Sequence, residues 1–215
     1  MNLRLVLRIV AGAILSCIVS APAHAEANTV QMVSPQALEA KVAYCQTCHG
    51  RSAQGYRGVV PIPRLAGQPP AYIESQLKAY IEGRLTDPVM GHVAKALSPA
   101  MLTAVSAKFK DLNPKPLGGA PQDQIATGKK IYSEGVPGQN VPACTACHGQ
   151  DGKGIALFPP LAGQLHDYTI RKMTDWKKRG QDATGPDTSA IMQPIARGLT
   201  EAQIAAIAAY VSTLE

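Results

Sequence analysis

Cys45-Gln46-Thr47-Cys48-His49 and Cys144-Thr145-Ala146-Cys147-His148 are two copies of one pattern, C-x-x-C-H, each followed by a glycine, Gly50 and Gly149. The spacing carries a specific chemistry. Two thiols one helical turn apart can add across the two vinyl groups of a porphyrin, and the next histidine is then placed to ligate the iron axially. A zinc ribbon built from two C-x-x-C knuckles is the competing reading. Compact ribbons separate their knuckles by ~15–20 residues, whereas Cys48 and Cys144 here have 95 residues between them. A zinc site also has no need of a histidine after each pair. Two local disulfide loops would leave both histidines unexplained. The motifs therefore predict two covalent haems c, attached through Cys45 and Cys48 and through Cys144 and Cys147.

Working outward, the motifs belong to a longer internal repeat. Pro63-Arg64-Leu65-Ala66-Gly67-Gln68 matches Pro159-Pro160-Leu161-Ala162-Gly163-Gln164, Tyr72 matches Tyr168, and Tyr80 matches Trp176. Met90, Ala94, Leu97 and Ser98 then match Met192, Ala196, Leu199 and Thr200, and Leu112 and Leu214 close the two copies. The order of features is the same in both, as expected of a tandem duplication. Between them, Asn113 to Ala120 is interrupted by Pro114, Pro116, Gly118 and Gly119, and Pro121 follows, so this stretch reads as a linker. The expected organisation is a first domain over 26–113, a linker over 114–121 and a second domain over 122–215.

The first 25 residues read as a cleaved secretory signal. Arg4 and Arg8 supply positive charge near the start, Leu5 to Val19 is otherwise almost wholly apolar, and Ala23-His24-Ala25 offers a small-x-small cleavage site. The run is short for a membrane span. Cys17 follows a stretch only loosely like a lipidation box, with Leu15 a poor fit. Cleavage after Ala25 removes Arg4 and Arg8, lowering the formal charge from +6 to +4, and it also removes Cys17 from the five cysteines. The expected location is the periplasm. Every remaining cysteine then lies in a C-x-x-C-H motif.

The chain has 215 residues, 46% hydrophobic and 17% charged, which excludes a disordered polyelectrolyte. Seven Tyr, two Phe and one Trp are few aromatics with which to fill two domains. A porphyrin is a large, flat apolar body, so burying it supplies core that side chains do not. Each haem also brings roughly −2 charge in the ferrous state when both propionates are ionised, because a bound cofactor's charge belongs in the count. The basic balance is therefore no argument for nucleic acid, and no nucleic-acid partner is expected.

Apolar periodicity places helices and no alternating strands. Ser34-Pro35 is an N-cap followed by Pro at the first helical position, and this helix should lead into the first motif, as one starting near Asp123 should lead into the second. Middle helices are expected at about 70–84 and 167–180. Final helices open at Ser98-Pro99 and Thr200-Glu201, with Leu102, Val105, Phe109 and Leu112, or Ile204, Ile207, Val211 and Leu214, on one face. The Gly- and Pro-rich connections would wrap the haems.

Each iron needs a second axial ligand. After signal removal the histidines outside the motifs are His92 and His166, and these occupy different places in the repeat. Repeat symmetry selects Met90 and Met192, each in a loop shortly before the final helix. A thioether opposite histidine raises a haem potential relative to stronger donors. His92 stays open as an alternative at the first haem. Met101 and Met173 fall inside expected helices and read as core. A carbonyl at Pro63 and at Pro159 could accept the hydrogen bond of the proximal imidazole, the alternative being that each proline only shapes its loop. Tyr72, Tyr80, Tyr168 and Trp176 read as core or haem-packing residues. Arg171, Lys172, Lys177, Lys178 and Arg179 read as a solvated helix face, or alternatively as a docking surface for an acidic partner.

On the paired C-x-x-C-H-G motifs, the repeated Leu-Ala-Gly-Gln, and Met90 and Met192 ahead of the final helices, the sequence resembles the di-haem cytochromes c of the cytochrome c4 family over about 30–215. The resemblance implies an all-α fold of two tandem class I cytochrome c domains with facing haem edges. It implies ligation by His49 with Met90 and His148 with Met192, and electron transfer in the periplasm toward a terminal oxidase. Arg51-Ser52-Ala53-Gln54-Gly55 departs from the more typical Asp151-Gly152-Lys153-Gly154. With six-coordinate irons the expected role is electron carriage without substrate chemistry. The alternative is the cytochrome subunit of a flavin- or quinone-linked dehydrogenase. A di-haem peroxidase or thiosulfate dehydrogenase is disfavoured, because the first needs an accessible iron position and no spare cysteine offers thiolate ligation. The partners expected are redox proteins, an electron-donor complex and an oxidase, and peripheral membrane association is left open.

Overall fold

The computed structural model describes residues 32–178 and 189–215. The signal segment over 1–25, Arg179 and the end of the second middle helix lie outside the described residues. Among the described residues there are α-helices, one 3-10 turn and isolated β-bridges, and no strands.

In the first repeat α1 (Pro35–His49) is capped by the Ser34 hydroxyl, which accepts from Ala37 N, and it carries the whole Cys45–His49 motif in its last turns. A loop over 50–69 leads to α2 (Pro70–Ile81). α3 (Pro88–Lys95) and α4 (Pro99–Ser106) follow, capped by Asp87 and Ser98, each with Pro at the first position. The second repeat has α5 (Gln122–Glu134), the one-turn α6 (Thr145–His148), α7 (His166–Lys178), α8 (Ser189–Gly198) and α9 (Glu201–Val211). Thr200 and Gln203 close a reciprocal capping box on α9.

Two expectations need correction. Met90 and Met192 are not in loops. Asp87 Oδ1 accepts from Val89 N at 3.0 Å and Met90 N at 2.9 Å, which starts a helix at Pro88, and Met192 lies in α8. The second motif is also not continuous with the helix before it. Gly135, at φ +70°, ends α5, and a 3-10 turn over Pro137–Gln139 and then Pro142 separate it from the helix that starts at Thr145.

Gln31–Glu215 form one compact unit containing two hydrophobic clusters. One gathers Ala53, Ala66, Ile73, Leu77, Ala94, Leu102, Val105 and Phe109, and the other Ile131, Tyr132, Val141, Met173, Ala196, Leu199, Ile204, Ile207 and Val211. The final-helix faces read from the sequence are thus the buried ones, although Leu112 and Leu214 sit at the margins. In the second cluster α5 crosses α9 with Gly128 against the Ala206 carbonyl, an approach that leaves no room for a Cβ.

Candidate haem sites

Each C-x-x-C-H motif is followed by the same backbone construction. Gly50 and Gly149 take φ of +86° and +78°, turning the chain back beneath the preceding helix. Gly55 N then donates to His49 O at 2.8 Å, and Gly154 N to His148 O at 2.9 Å. Leu65 and Ala66 both donate to Ala53 O, as Leu161 and Ala162 do to Gly152 O. Gly67 N reaches Phe109 O at 2.9 Å, and Gly163 N reaches Val211 O at 3.0 Å, tying each loop to the end of its repeat. The departure at Arg51–Gly55 leaves this pattern intact. Ala53 adopts φ +55° where the second repeat has Gly152 at +70°.

The loop delivers a carbonyl to each histidine. His49 Nδ1 lies 2.8 Å from Pro63 O, and His148 Nδ1 lies 2.8 Å from Pro159 O. A carbonyl can only accept, so Nδ1 carries the proton and donates, leaving Nε2 with its lone pair. Both imidazoles are buried, and burial holds their pKa below the ordinary histidine value against the opposing pull of the carbonyl bond. The neutral, ligating form is therefore favoured. His148 Nε2 is buried without a hydrogen-bond partner, as suits an atom reserved for a metal. None of Cys45, Cys48, Cys144 and Cys147 is in a disulfide, and burial pushes the Cys144 thiol up to about 11. A neutral imidazole aimed by a carbonyl, with two free thiols in the preceding turn, fits a thioether-linked haem in each repeat.

Met90 is half-buried and packs against the first cluster, while Met192 is half-buried against the second. Both therefore belong to the body of their own repeat. His92 is exposed, with Nδ1 at 2.6 Å from Pro88 O one helical turn earlier. His166 Nδ1 pairs with Asp167 Oδ1 at 2.7 Å, and its Nε2 is buried without a partner. Met173 is core, as its periodicity predicts, and Met101 is only half-buried.

The aromatic residues divide. Tyr80 and Trp176 pack at the edges of the two clusters. Tyr168 lies close enough to Tyr72 and Tyr80 of the first repeat that burial, and then their negative forms, would oppose its ionisation. The basic stretch on α7 is less free than its sequence implies. Arg171 lies over the Tyr168 ring at 5.7 Å, Lys172 over Trp176 at 5.3 Å, and Lys177 Nζ donates to Leu199 O at 2.5 Å. Among the described basic residues of this stretch, only Lys178 is exposed.

Sequence reasoning missed the contacts between the repeats. Arg64 is 5% exposed, and its guanidinium donates to Ala66 O, Pro114 O and Asn113 Oδ1 at 3.2, 2.8 and 3.3 Å. The glutamines of the two Leu-Ala-Gly-Gln copies each reach across to the opposite repeat, Gln68 to Pro160 O at 3.0 Å and Gln164 to Arg64 O at 3.1 Å. The signal was present as a polar residue repeated at a buried turn.

Comparison with known proteins agrees with this construction. The Cytochrome c family model matches residues 125–215. Cytochrome c4 of Pseudomonas aeruginosa is 35% identical over 82% of this chain and 86% of its own length. A protein of Stutzerimonas stutzeri described as "Thiosulfate dehydrogenase electron acceptor" is 33% identical over 77% of this chain and 76% of its own. The structure of Acidithiobacillus ferrooxidans cytochrome c4 superposes with a TM-score of 0.68 at 37% identity, covering 80% of this chain and 99% of that one. With its helical fold and paired haem motifs, the chain belongs to the cytochrome c4 family, electron-transfer proteins of two tandem class I cytochrome c domains that carry two covalent haems c.

Proposed function

We propose that this protein is a periplasmic two-electron carrier, not an enzyme, passing electrons between respiratory redox proteins and toward a terminal oxidase. The reading assigns thioethers to Cys45 and Cys48 for one haem and to Cys144 and Cys147 for the other. It assigns axial ligation to His49 with Met90 and to His148 with Met192, and domains to 26–113 and 122–215 joined by 114–121. The observation that carries it is the repeated carbonyl bond, 2.8 Å from Nδ1 in both copies, which leaves each Nε2 as a donor toward an iron.

Each haem, when bound, supplies a one-electron ferric–ferrous couple. The chain's own residues fix how that couple behaves. Pro63 and Pro159 orient the imidazoles and raise their basicity. Asp87 anchors the turn that carries Met90, and the packing of α8 on the second cluster holds Met192. With His49 and Met90, or His148 and Met192, holding the iron, small molecules would find no open position there.

The test is a mass and optical measurement on the exported protein. Two covalent haems and a far-red ferric–methionine band from both are expected, and Met90→Ala and Met192→Ala should each remove the band of one haem. If neither variant changes it, the ligand assignment fails.

A second reading, the cytochrome subunit of a periplasmic dehydrogenase, is favoured by the relative described as an electron acceptor of thiosulfate dehydrogenase. It predicts co-purification with a dehydrogenase that reduces this protein directly. A carrier that turns over only with separate donors and an oxidase decides for the first reading.

A further inference from the structure

The peptide unit joining Pro63 to Arg64 is bonded at both ends. Its carbonyl accepts from His49 Nδ1 at 2.8 Å, and its N–H donates to Gln164 Oε1 of the other repeat at 2.9 Å. Gln164 Nε2 then donates to Arg64 O at 3.1 Å, and Gln164 Oε1 also accepts from Leu165 N at 3.0 Å. Two main-chain donors face Oε1 and a carbonyl faces Nε2, so the amide can point only one way.

The reciprocal site is built from the same parts and lacks the same bond. His148 Nδ1 reaches Pro159 O at 2.8 Å, and Gln68 Nε2 reaches Pro160 O at 3.0 Å, as symmetry requires. The residue matching Arg64 is Pro160, and the one matching Leu165 is Pro69, and neither has an N–H to give. Gln68 Oε1 is accordingly buried with no hydrogen-bond partner. Two prolines account for that orphaned oxygen.

We infer that Gln164 is a positioning residue that makes the two haems inequivalent, by polarising the one peptide unit that accepts the His49 hydrogen bond. This rests on His49 and His148 being the proximal ligands. An amide that donates through its N–H becomes a better acceptor at its carbonyl, by about 10–30% per bond in a chain of hydrogen bonds. A stronger bond from Nδ1–H gives the imidazole more anionic character and makes Nε2 a better donor. That favours ferric over ferrous iron, so the relay lowers the potential of the first haem and leaves the second untouched. A residue of the second repeat thereby sets a property of the first.

The experiment measures each haem's reduction potential by NMR-monitored titration of the full holoprotein, with the Nδ1 proton and nitrogen shifts of His49 and His148 in the reduced state. Gln164→Leu should raise the first potential, move the His49 signals toward a weaker hydrogen bond, and leave the second haem unchanged. Pro160→Ala supplies the missing N–H opposite Gln68 Oε1, so it should lower the second potential and shift the His148 Nδ1 proton downfield. Pro160→Ala decides alone if Gln164→Leu does not fold, since it removes no hydrogen bond. Unmoved potentials and shifts in Pro160→Ala, or a Gln164→Leu effect confined to the second haem, overturn the relay. Haem mass and the ferric–methionine band, recorded on the same samples, separate the outcomes. Their absence in the parent defeats the ligand assignment, whereas their presence with unmoved potentials defeats only the relay.

Discussion

Ala53 and Gly152 occupy one place in the repeat and solve one problem differently. Both take left-handed backbone, at φ +55° and +70°, so that their carbonyls can accept from two successive N–H groups of the following loop. Ala53 incurs roughly 1–2 kcal/mol of steric cost there, offset in part by a fully buried methyl worth ~0.8 kcal/mol. Ala53→Gly should therefore change stability by less than about 1 kcal/mol. Gly152 has no such latitude, because a Cβ would meet Leu214 Cδ1 at 2.9 Å and Ala162 N at 3.3 Å. Gly152→Ala should destabilise the protein by about 1–3 kcal/mol, the range for imposed backbone strain. Denaturant titration of the two variants checks the contrast, and equal effects would contradict it.

Among the elements, α3 links a cap to Met90, the proposed ligand of the first iron. Asp87 holds the N–H groups of Val89 and Met90, and replacing such a cap by alanine costs about 0.5–2 kcal/mol. If that energy also secures Met90, then Asp87→Ala should let imidazole displace the methionine of the first haem at a roughly 2- to 30-fold lower concentration. The second haem should titrate as before, since α8 has its own packing. The crossing of α5 on α9 gives a second test at this scale. Gly128→Ala drives a methyl into the Ala206 carbonyl, and overpacking of this kind costs about 1–3 kcal/mol. Thermal unfolding should show that loss, with the first haem's spectrum retaining its native form.

For the molecule as a whole, Arg64 is the residue on which the junction converges. Its buried guanidinium serves the carbonyls of Ala66 and Pro114 and the side chain of Asn113, while its main chain pairs with Gln164. Burial lowers its pKa, and the cation is held by oxygen acceptors. Arg64→Met keeps the backbone pairing but leaves those acceptors without a donor, at about 1–3 kcal/mol per buried unsatisfied group. A lower guanidinium midpoint with two normal haem spectra is the expected result. The haems are structural as well as functional. Replacing Cys45, Cys48, Cys144 and Cys147 by serine should abolish cooperative unfolding and near-ultraviolet dichroism, because the buried porphyrin supplies apolar core that few aromatic side chains replace.

Much of this was legible in the residues alone. Two C-x-x-C-H motifs, the repeat and the capped, periodic final helices specify the cofactor, the duplication and most helices, because each depends on spacing within a few turns of chain. The carbonyls of Pro63 and Pro159 are already candidates for the imidazole bond in the sequence, since the Pro-x-Leu stretch occurs twice, and the structure chooses that role over loop shaping alone. The helices around Met90 and Met192 were missed because each is short and holds a proline that reads as loop, Pro88 at the start of α3 and Pro194 inside α8. The basic face of α7 is less free than it looks because Tyr168 and Trp176 lie one turn from Arg171 and Lys172 on the same helix, while the fold brings the Leu199 carbonyl to Lys177. Gln164 and Arg64 stand 100 residues apart in sequence, and nothing local records that one amide would satisfy the other's backbone. Local chemistry determined what this chain holds, and tertiary structure decided how the two halves of a duplication came to differ, because a hydrogen bond across the junction needs an N–H that proline does not have.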